Sequence, residues 1–371
     1  MVKKKVSKFA NKPFDFTICI TVLVLLALGI VMVLSASSPS ALAEGDSSYT
    51  YAISQATYGA IGIALMFIIS KIDYRFYKKY YKLGYIVAVV LLALVLIMGS
   101  SSGGAKRWLR IGIRFQPSEM VKILLIMFYA GFLSDHREDL GKFGKGFLYS
   151  LIFLVPILGL LILEPHFSAC IIMMAITCVM MLMAGCKMKH FLLSAIPAIP
   201  AIIFVALKDQ YRVDRVMSFL DPWKYAQDEG WQVIQSLYAI GSGGLFGAGL
   251  GESKQKYLYV SEPQNDFIFS ILAEELGFIG CAVVLVLFAI LIWRGIVTAM
   301  KAPDMFGSLI AIGITVLVGI QVIINIAVVT SSMPVTGMPL PFFSYGGSAL
   351  FILLCEMGVL LNISKAGAKR E

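Results

Sequence analysis

Long apolar runs separated by shorter polar segments dominate the hydrophobic pattern of this chain. Each run approaches the ~20 residues that a helix needs to cross a bilayer. The runs are continuous and do not alternate with period two, so helices that satisfy their own backbone hydrogen bonds are favoured over a barrel. The pattern predicts an all-α, polytopic membrane protein. The ten predicted spans are residues 16–36, 53–70, 83–100, 117–133, 147–163, 167–185, 191–207, 267–293, 306–330 and 348–363.

Basic residues in the loops predict the orientation of these spans. The basic stretch 1–12 precedes an apolar run that is too long for a typical signal peptide, so this run is predicted to stay as the first span. Ten spans place both termini on one side, and the loops of that side carry about twice as many Lys and Arg residues as the others. We therefore expect cytoplasmic termini and one large extracytoplasmic loop, at about residues 208–265.

Composition agrees with a single integral membrane domain over residues 1–371. The chain is 59% hydrophobic and only 14% charged, with a mean hydropathy of +0.85. Its net charge of +9 is explained by the inner loops and anionic lipid, and no nucleic-acid motif is visible. The six cysteines lie in or beside apolar runs without CxxC spacing and are predicted to be packing residues. The three histidines form no metal-ligand pair, so no protein metal site is predicted.

The long loop runs into an apolar helix at Asp266, which places a carboxylate where water meets the membrane. Asn265 is expected to cap this helix, and the helix is expected to continue without a break. Glu274 is eight residues further on, which puts it on roughly the same face and ~12 Å deeper, whereas Glu275 is expected to face away. A half-dry carboxylate such as that of Asp266 is a candidate general base.

Two other outer segments carry charges at membrane depth. Arg107 and Trp108 follow a pair of glycines in a short loop that suits an anionic lipid with a sugar head, although an interfacial anchor explains the loop equally well. Glu119 and Lys122 are three residues apart in the fourth span and share one helix face. The pair either fixes helix register or lines a substrate cavity. Glu164 can line the same cavity.

Two irregular stretches complete the outer side. Residues 232–240 have apolar positions at helical spacing and are expected to lie on the membrane surface. The glycine-rich stretch 241–251 lacks the spacing of a nucleotide phosphate loop and instead predicts a close backbone approach to lipid or another helix. Residues 333–348 combine three prolines with aromatics and glycines, which predicts a re-entrant wall buried in protein or facing an aqueous cavity.

Five motifs in this order resemble those of the SEDS family (shape, elongation, division and sporulation), which includes FtsW, RodA and SpoVE. The similarity covers nearly all ten predicted spans, and the variants at residues 255–256 and 262–266 resemble the FtsW and SpoVE branch more than RodA. The motifs are QPSE at 116–119, AIGSGG at 239–244, QNDFIF at 264–269, AEELG at 273–277 and PLPFFSYGGS at 339–348.

This resemblance implies a peptidoglycan glycosyltransferase that polymerises lipid II, an undecaprenyl-pyrophosphate disaccharide pentapeptide, outside the cytoplasmic membrane with a class B penicillin-binding protein. Asp266 matches the family's essential aspartate, and Glu119 and Lys122 match its charged pair. Arg107 and Trp108 match its basic aromatic loop. The chain departs from the pattern at His166, where many relatives carry Asp, and this puts a role for an acid there in doubt.

The implied chemistry agrees with the placement of the charges. Asp266 would take the proton of a sugar 4-hydroxyl that attacks the anomeric carbon of a donor, with Glu274 in support. The departing pyrophosphate needs cations, and the sequence leaves open whether a divalent ion such as Mg²⁺ or Mn²⁺ assists them. The candidate cations are Arg107, Lys122, Arg215 and Lys256.

Two other functions fit the same pattern. Ten helices with intramembrane charges and broken outer segments also suit a lipid II flippase or transporter, although no inverted repeat is visible. A non-catalytic scaffold that docks division proteins through its helices is the third hypothesis. Polymer formation from lipid II separates these three.

Overall fold

The computed structural model describes residues 14–102, 105–111, 113–207, 210–228, 230–257 and 259–367. The basic amino-terminal stretch used for the orientation argument and the last four residues lie outside the described residues. The described chain is largely helical, as the apolar pattern predicts. Its helices are α1 Phe16–Ala43, α2 Thr50–Ile69, α3 Arg75–Lys78, α4 Tyr81–Met98, α5 Pro117–Asp135, α6 Tyr149–Ile152, α7 Leu154–Leu163, α8 Phe167–Ala184, α9 Met188–Leu207, α10 Gln210–Leu220, α11 Trp231–Gly243, α12 Ile268–Lys301, α13 Met305–Val329 and α14 Gly347–Gly367.

The chain is an all-α, polytopic membrane protein with about ten transmembrane helices. Within the described residues, nine helical segments are long and apolar enough to cross a membrane. One of them joins a π-helical turn, Phe143–Leu148, to α6 and α7. The remaining predicted span, residues 191–207, coincides with α9, which contains Pro197 and Pro200.

Polar residues define several helix starts. Asp15 caps α1 by accepting hydrogen bonds from the backbone amides of Thr17 and Ile18 at 3.0 and 3.3 Å. Asp304 caps α13 in the same way through the amide of Gly307 at 2.8 Å. Pro117 occupies the first turn of α5, as predicted, where its missing N–H costs no hydrogen bond.

The helices α5, α13 and α14 are the most buried of the bundle. α13 packs against α5, α8 and α12, while α14 packs along α2. Because these central helices have few lipid-facing positions, the polar residues they carry lie inside the protein. Lys122 of α5, Asn325 of α13 and Glu356 of α14 are all buried.

A small antiparallel sheet replaces the loop expected before α5. It has the order β1-β2-β3, with β1 Ser100–Ser102, β2 Ala105–Ile111 and β3 Ile113–Phe115. The register pairs Ser100 with Trp108 and Leu109 with Phe115. Apolar residues alternate at 109, 111, 113 and 115, a pattern that predicts this hairpin. The glycines and cations of the stretch favoured a loop instead.

The long segment before α12 is more ordered than expected. The helix predicted over residues 232–240 is present as α11, but α10 was not predicted. α11 is also packed on the bundle, since the hydroxyl of Ser236 donates to the carbonyl oxygen of Val329 at 2.8 Å. The apolar spacing of this segment therefore reflects contact with α12 and α13.

The prediction of an unbroken helix after Asp266 is wrong. α12 is interrupted at Gly277, whose φ of 64° lies outside the helical region. The glycine-rich stretch pairs with the interruption, because Phe278 N donates to Gly244 O and Ala248 N donates to Glu274 O, each at 2.9 Å. A Cβ on Gly277 would lie 2.3 Å from the nitrogen of Gly247. The predicted close backbone approach to another helix is thus confirmed.

Candidate functional site

Asp266 lies in the turn immediately before α12 and is half-buried. Its backbone carbonyl oxygen accepts a hydrogen bond from Asn325 Nδ2 at 2.7 Å, which ties this turn to α13. The capping role predicted for Asn265 is wrong, because α12 has no side-chain cap and the amide of Asn265 donates to Glu262 Oε2 at 2.7 Å. The carboxylate of Asp266 is therefore positioned by backbone contacts of its own turn.

The proline-rich segment 331–346 forms the wall beside Asp266. The hydroxyl of Ser344 accepts from Leu340 N at 2.7 Å and donates to Asn265 O at 2.8 Å. Tyr345 N donates to Gln264 O at 2.8 Å. Phe342 and Phe343 are buried, which confirms that this irregular backbone lies within the protein. The segment and the Asp266 turn are thus one hydrogen-bonded unit.

The environment of Asp266 raises the pKa of its carboxyl group. Burial, followed by the negative charge of Glu262, raises the pKa of Asp266 from its usual range to about 6. The positive charges of Arg215 and Arg107 oppose this shift. At neutral pH the carboxylate is therefore ionised and more basic than an exposed aspartate, which suits a general base.

Both arginines near Asp266 are anchored to loop carbonyls. Arg215 of α10 donates through Nη1 to Val335 O at 3.0 Å. Arg107 of β2 donates through Nη2 to the carbonyl oxygen of Pro165. Trp108, next to Arg107, is half-buried, and its carbonyl oxygen accepts from the Ser100 hydroxyl at 3.1 Å. The structure therefore brings three of the predicted site residues together, namely an acid and two cations.

Glu119 and Lys122 form the predicted ion pair, with 2.7 Å between Oε2 and Nζ. Their side chains are only 13% and 5% exposed, so the pair is largely desolvated. It lines a cavity with Gln321, Glu356 and the segment that ends at Ser344. Since Ser344 also contacts the Asp266 turn, one wall separates the cavity from the acid. Sequence reasoning missed Glu356, although a lone acid within an apolar span was a usable signal.

Lys256, Glu274 and Glu275 lie in a separate buried cluster. Glu274 accepts from Ser253 Oγ and from Lys254 N at 2.5 and 2.9 Å. Lys256 pairs with Glu275 at 2.9 Å, and these side chains are 4% and 0% exposed. Glu275, which the sequence predicts to face away from Asp266, belongs to this cluster. Lys256 and Glu274 are bonded to other groups of the protein, and the structure does not place them against Asp266.

Among the described residues, positive φ angles at residues other than glycine and proline occur in connecting segments, at Glu262, Ser331 and Phe342. Such backbone conformations cost roughly 1–3 kcal/mol each and persist only where the surrounding contacts impose them. The contacts of the Asp266 turn and of the segment 331–346 therefore impose these conformations.

No group of three or more His, Cys, Asp or Glu side chains is arranged to hold a metal ion in the part of the chain that the structure describes. The acids near Asp266 do not by themselves provide a complete cation site.

The fold and site define a multi-pass helical membrane protein with an acid and two arginines held by loops at one end of the bundle. The family model for cell cycle proteins of the FtsW, RodA and SpoVE type matches residues 16–369. The chain belongs to this family, as the sequence motifs predict.

Relatives of known name support the same assignment. The chain is 42% identical to stage V sporulation protein E of Bacillus subtilis, over 86% of this chain and 88% of the relative. It is 40% identical to a probable peptidoglycan glycosyltransferase FtsW of a Geobacter species, over 84% and 85% of the two chains. These identities agree with the branch predicted from the motifs.

Solved structures share the fold. A chain from a study of how a peptidoglycan synthase complex coordinates polymerization and crosslinking aligns with a TM-score of 0.80 at 27% identity, covering 95% of this chain and 98% of that one. The rod shape-determining protein RodA of Thermus thermophilus aligns with a TM-score of 0.68 at 26% identity, covering 95% and 96%. The architecture is thus that of the family over nearly the whole chain.

Proposed function

We propose that this chain is a peptidoglycan glycosyltransferase that polymerises lipid II on the outer face of the cytoplasmic membrane, with Asp266 as the general base. The observation that carries the proposal is the placement of Asp266, whose raised pKa makes it a better base, beside Arg107 and Arg215. Membership of a family that includes named peptidoglycan glycosyltransferases supports the same activity.

The reaction transfers a glycosyl group between two lipid-linked sugars. The oxygen of an acceptor 4-hydroxyl forms a bond to the anomeric carbon of the donor, while the bond from that carbon to the diphosphate oxygen breaks. The electron pair of the broken bond leaves with the polyprenyl diphosphate. Asp266 accepts the hydroxyl proton, which makes the weak nucleophile competent. A carboxylate with a pKa near 6 is ionised at neutral pH and can do this.

The cations stabilise the departing diphosphate in this proposal. Arg107 and Arg215 act directly, since their charges already act on Asp266. Lys122, held by Glu119, presents a further cation in the neighbouring cavity, and Trp108 packs against the substrate at the entrance. Lys256 and Glu274 are assigned a positioning role, because their contacts fix the loop that precedes Asp266 to the helix segment that follows it.

In this proposal the segments that carry Asp266, Arg107 and Arg215 lie on the outer side of the membrane, and both termini are cytoplasmic. The distribution of Lys and Arg between the loops supports this orientation. A class B penicillin-binding protein is the proposed partner. The similarity to a chain of a peptidoglycan synthase complex supports an assembly of this kind.

Purified protein supplied with labelled lipid II, alone and with its penicillin-binding partner, tests the proposal. We expect glycan polymer from the wild type and none from Asp266→Ala. Translocation of lipid II across proteoliposomes without polymer would instead support a transporter. Neither polymer nor translocation, with the partner present, would leave only the scaffold hypothesis.

A further inference from the structure

The turn between α7 and α8 contains two buried polar residues that the reaction described so far does not use. Glu164 and His166 flank Pro165 and are 1% and 8% exposed. Arg107 reaches this turn and donates to the Pro165 carbonyl oxygen. The turn therefore lies against the same arginine whose charge acts on Asp266.

Each of these two buried side chains has an atom without a hydrogen-bond partner. Glu164 Oε1 and His166 Nδ1 are both fully inaccessible and unpaired among the described residues. Leaving a buried polar atom unpaired costs free energy, so native proteins rarely do it without a functional reason. Two such atoms on one turn beside an arginine are typical of a site that completes its hydrogen bonds with a ligand.

The charges around this turn indicate what the ligand is. Arg107 from β2 acts on both buried residues, whereas Lys122 from α5 acts on His166 and is itself paired with Glu119. Among the described residues, the adjoining halves of α4 and α8 contain only uncharged side chains. Arg107 therefore makes the surroundings of the turn cationic, which favours an anion.

The protonation states of the two residues keep the surroundings of the turn cationic. Burial raises the pKa of Glu164 to about 8, and Arg107 only partly opposes this shift. Burial, Arg107 and Lys122 lower the pKa of His166 to about 3. Near neutral pH Glu164 is thus mainly an uncharged carboxylic acid, and His166 is an uncharged imidazole. Neither cancels the charge of Arg107.

We propose that Glu164, as an uncharged acid, donates a hydrogen bond together with Arg107 to a phosphate oxygen of the polyprenyl diphosphate leaving group. This inference rests on the proposed function, and it assigns the turn between α7 and α8 as the diphosphate subsite beside Asp266. A protonated carboxyl group is a strong donor to a charged oxygen, whereas an ionised one would repel the diphosphate and pair with Arg107. Glu164 is therefore a binding residue that works only in its neutral form.

Binding of undecaprenyl diphosphate to the purified full-length protein in detergent tests this assignment without requiring turnover. Wild type, Glu164→Gln and Glu164→Met are compared at about pH 7.5 and about pH 9. In this interval the terminal phosphate of the ligand, with a second pKa of about 6, stays ionised. Glu44→Gln serves as the control, since it removes an exposed carboxylate. A thermal unfolding curve for each variant verifies that it is folded.

We expect the wild type and the Glu44→Gln control to bind roughly tenfold more weakly at the higher pH, because most Glu164 is then ionised. Glu164→Gln keeps a donor that does not ionise, so its affinity is expected to be the same at both pH values. Glu164→Met, which has no donor, is expected to bind roughly tenfold or more weakly than wild type at the lower pH.

The opposite results would overturn the inference. If Glu164→Gln loses affinity at the higher pH as the wild type does, another group titrates. If Glu164→Met binds like the wild type, Glu164 donates nothing to the ligand. If phosphatidylglycerol displaces undecaprenyl diphosphate at equal concentration, the turn binds a phospholipid headgroup and the assignment is wrong.

Polymerisation assays on the same samples separate this inference from the proposed function. Polymer from a wild type whose diphosphate binding is insensitive to Glu164→Met would refute the subsite alone. Diphosphate binding with the expected pH dependence, but no polymer in the presence of the partner, would refute the glycosyltransferase while leaving the subsite intact.

Discussion

The side-chain amide of Asn325 lies 2.7 Å from the backbone carbonyl oxygen of Asp266 and donates a hydrogen bond to it. The same nitrogen donates to the carbonyl oxygen of Met338, also at 2.7 Å. One buried side chain of α13 thus holds the Asp266 turn and the proline-rich wall together. This contact explains how a loop residue can be placed accurately between mobile lipid and water.

Replacing Asn325 by Ala should therefore lower both the stability and the activity of the protein. Two buried carbonyl oxygens lose their donor, which is expected to lower the free energy of unfolding by roughly 1–3 kcal/mol. Polymerisation is expected to fall at least tenfold, since Asp266 loses its fixed position. Both quantities are measured on purified protein, by thermal unfolding and by glycan formation.

Asn362 is the matched control for this variant. It is also a buried asparagine with two backbone partners, as it donates to Ser70 O and accepts from Tyr74 N at 2.8 and 2.9 Å. Asn362→Ala should lose similar stability but keep its activity per folded molecule. Equal losses of activity in the two variants would contradict a specific role for Asn325.

Gly337 lies close to the carboxylate of Asp266. It has a φ of 67°, and a Cβ there would lie 3.3 Å from Asp266 Oδ2. We expect Gly337→Ala to be destabilised by roughly 1 kcal/mol and to lose activity, because the methyl group crowds the base. Gly45→Ala is the control, because Gly45 has a similar φ of 82° but a Cβ there would have no neighbour within 4 Å. It should show the loss of stability with normal polymerisation, and a fully active Gly337→Ala would argue against this contact.

The raised pKa of Asp266 predicts an acid limb in the pH dependence. A general base works in its ionised form, so kcat/KM should fall about tenfold per pH unit below the Asp266 pKa of about 6. The negative charge of Glu262 contributes to this raised value. Glu262→Gln should therefore shift the limb to lower pH, while Glu44→Gln should leave it in place. A limb that stays fixed or moves upward in Glu262→Gln would exclude Asp266 as the titrating group.

The Glu119–Lys122 pair can be tested for function by removing one or both partners. Lys122→Met leaves Glu119 with 13% exposure and no counter-charge, which is expected to cost roughly 3–5 kcal/mol of stability. The double variant with Glu119→Gln removes both charges and should recover much of that stability. It should remain inactive, because the cavity has lost the cation that we propose binds the substrate. Recovery of polymerisation together with stability would reduce the pair to a structural role.

Apolar periodicity was sufficient to predict the bundle, because spanning helices are determined by long local runs. The charged residues at membrane depth were also visible in sequence, and Arg107, Arg215 and Asp266 do come together. The break at Gly277 was not predicted, since it depends on backbone pairing with a stretch that is about 30 residues earlier. A tertiary contact determines that interruption, and a local sequence signal does not.

The roles of the charged residues were harder to predict than their presence. Lys256 was expected to meet the leaving group, yet its ammonium lies 2.9 Å from Glu275. Spacing along one helix gives no information about which loop packs over it, and here the segment before Asp266 folds back onto α12. Glu164 was recognised only as a residue that can line the cavity, because its protonation state depends on burial that the sequence does not reveal.

The rate of glycan formation by Asp266→Asn, measured together with lipid II binding, tests the central claim most directly. Asparagine keeps the size and shape of the side chain, with an amide NH₂ in place of one carboxylate oxygen, but it cannot accept the proton of the acceptor hydroxyl. We predict normal lipid II binding with a rate lowered by about 10²- to 10⁴-fold, the usual contribution of a general base. A folded Asp266→Asn protein that polymerises lipid II at close to the wild-type rate would contradict the account.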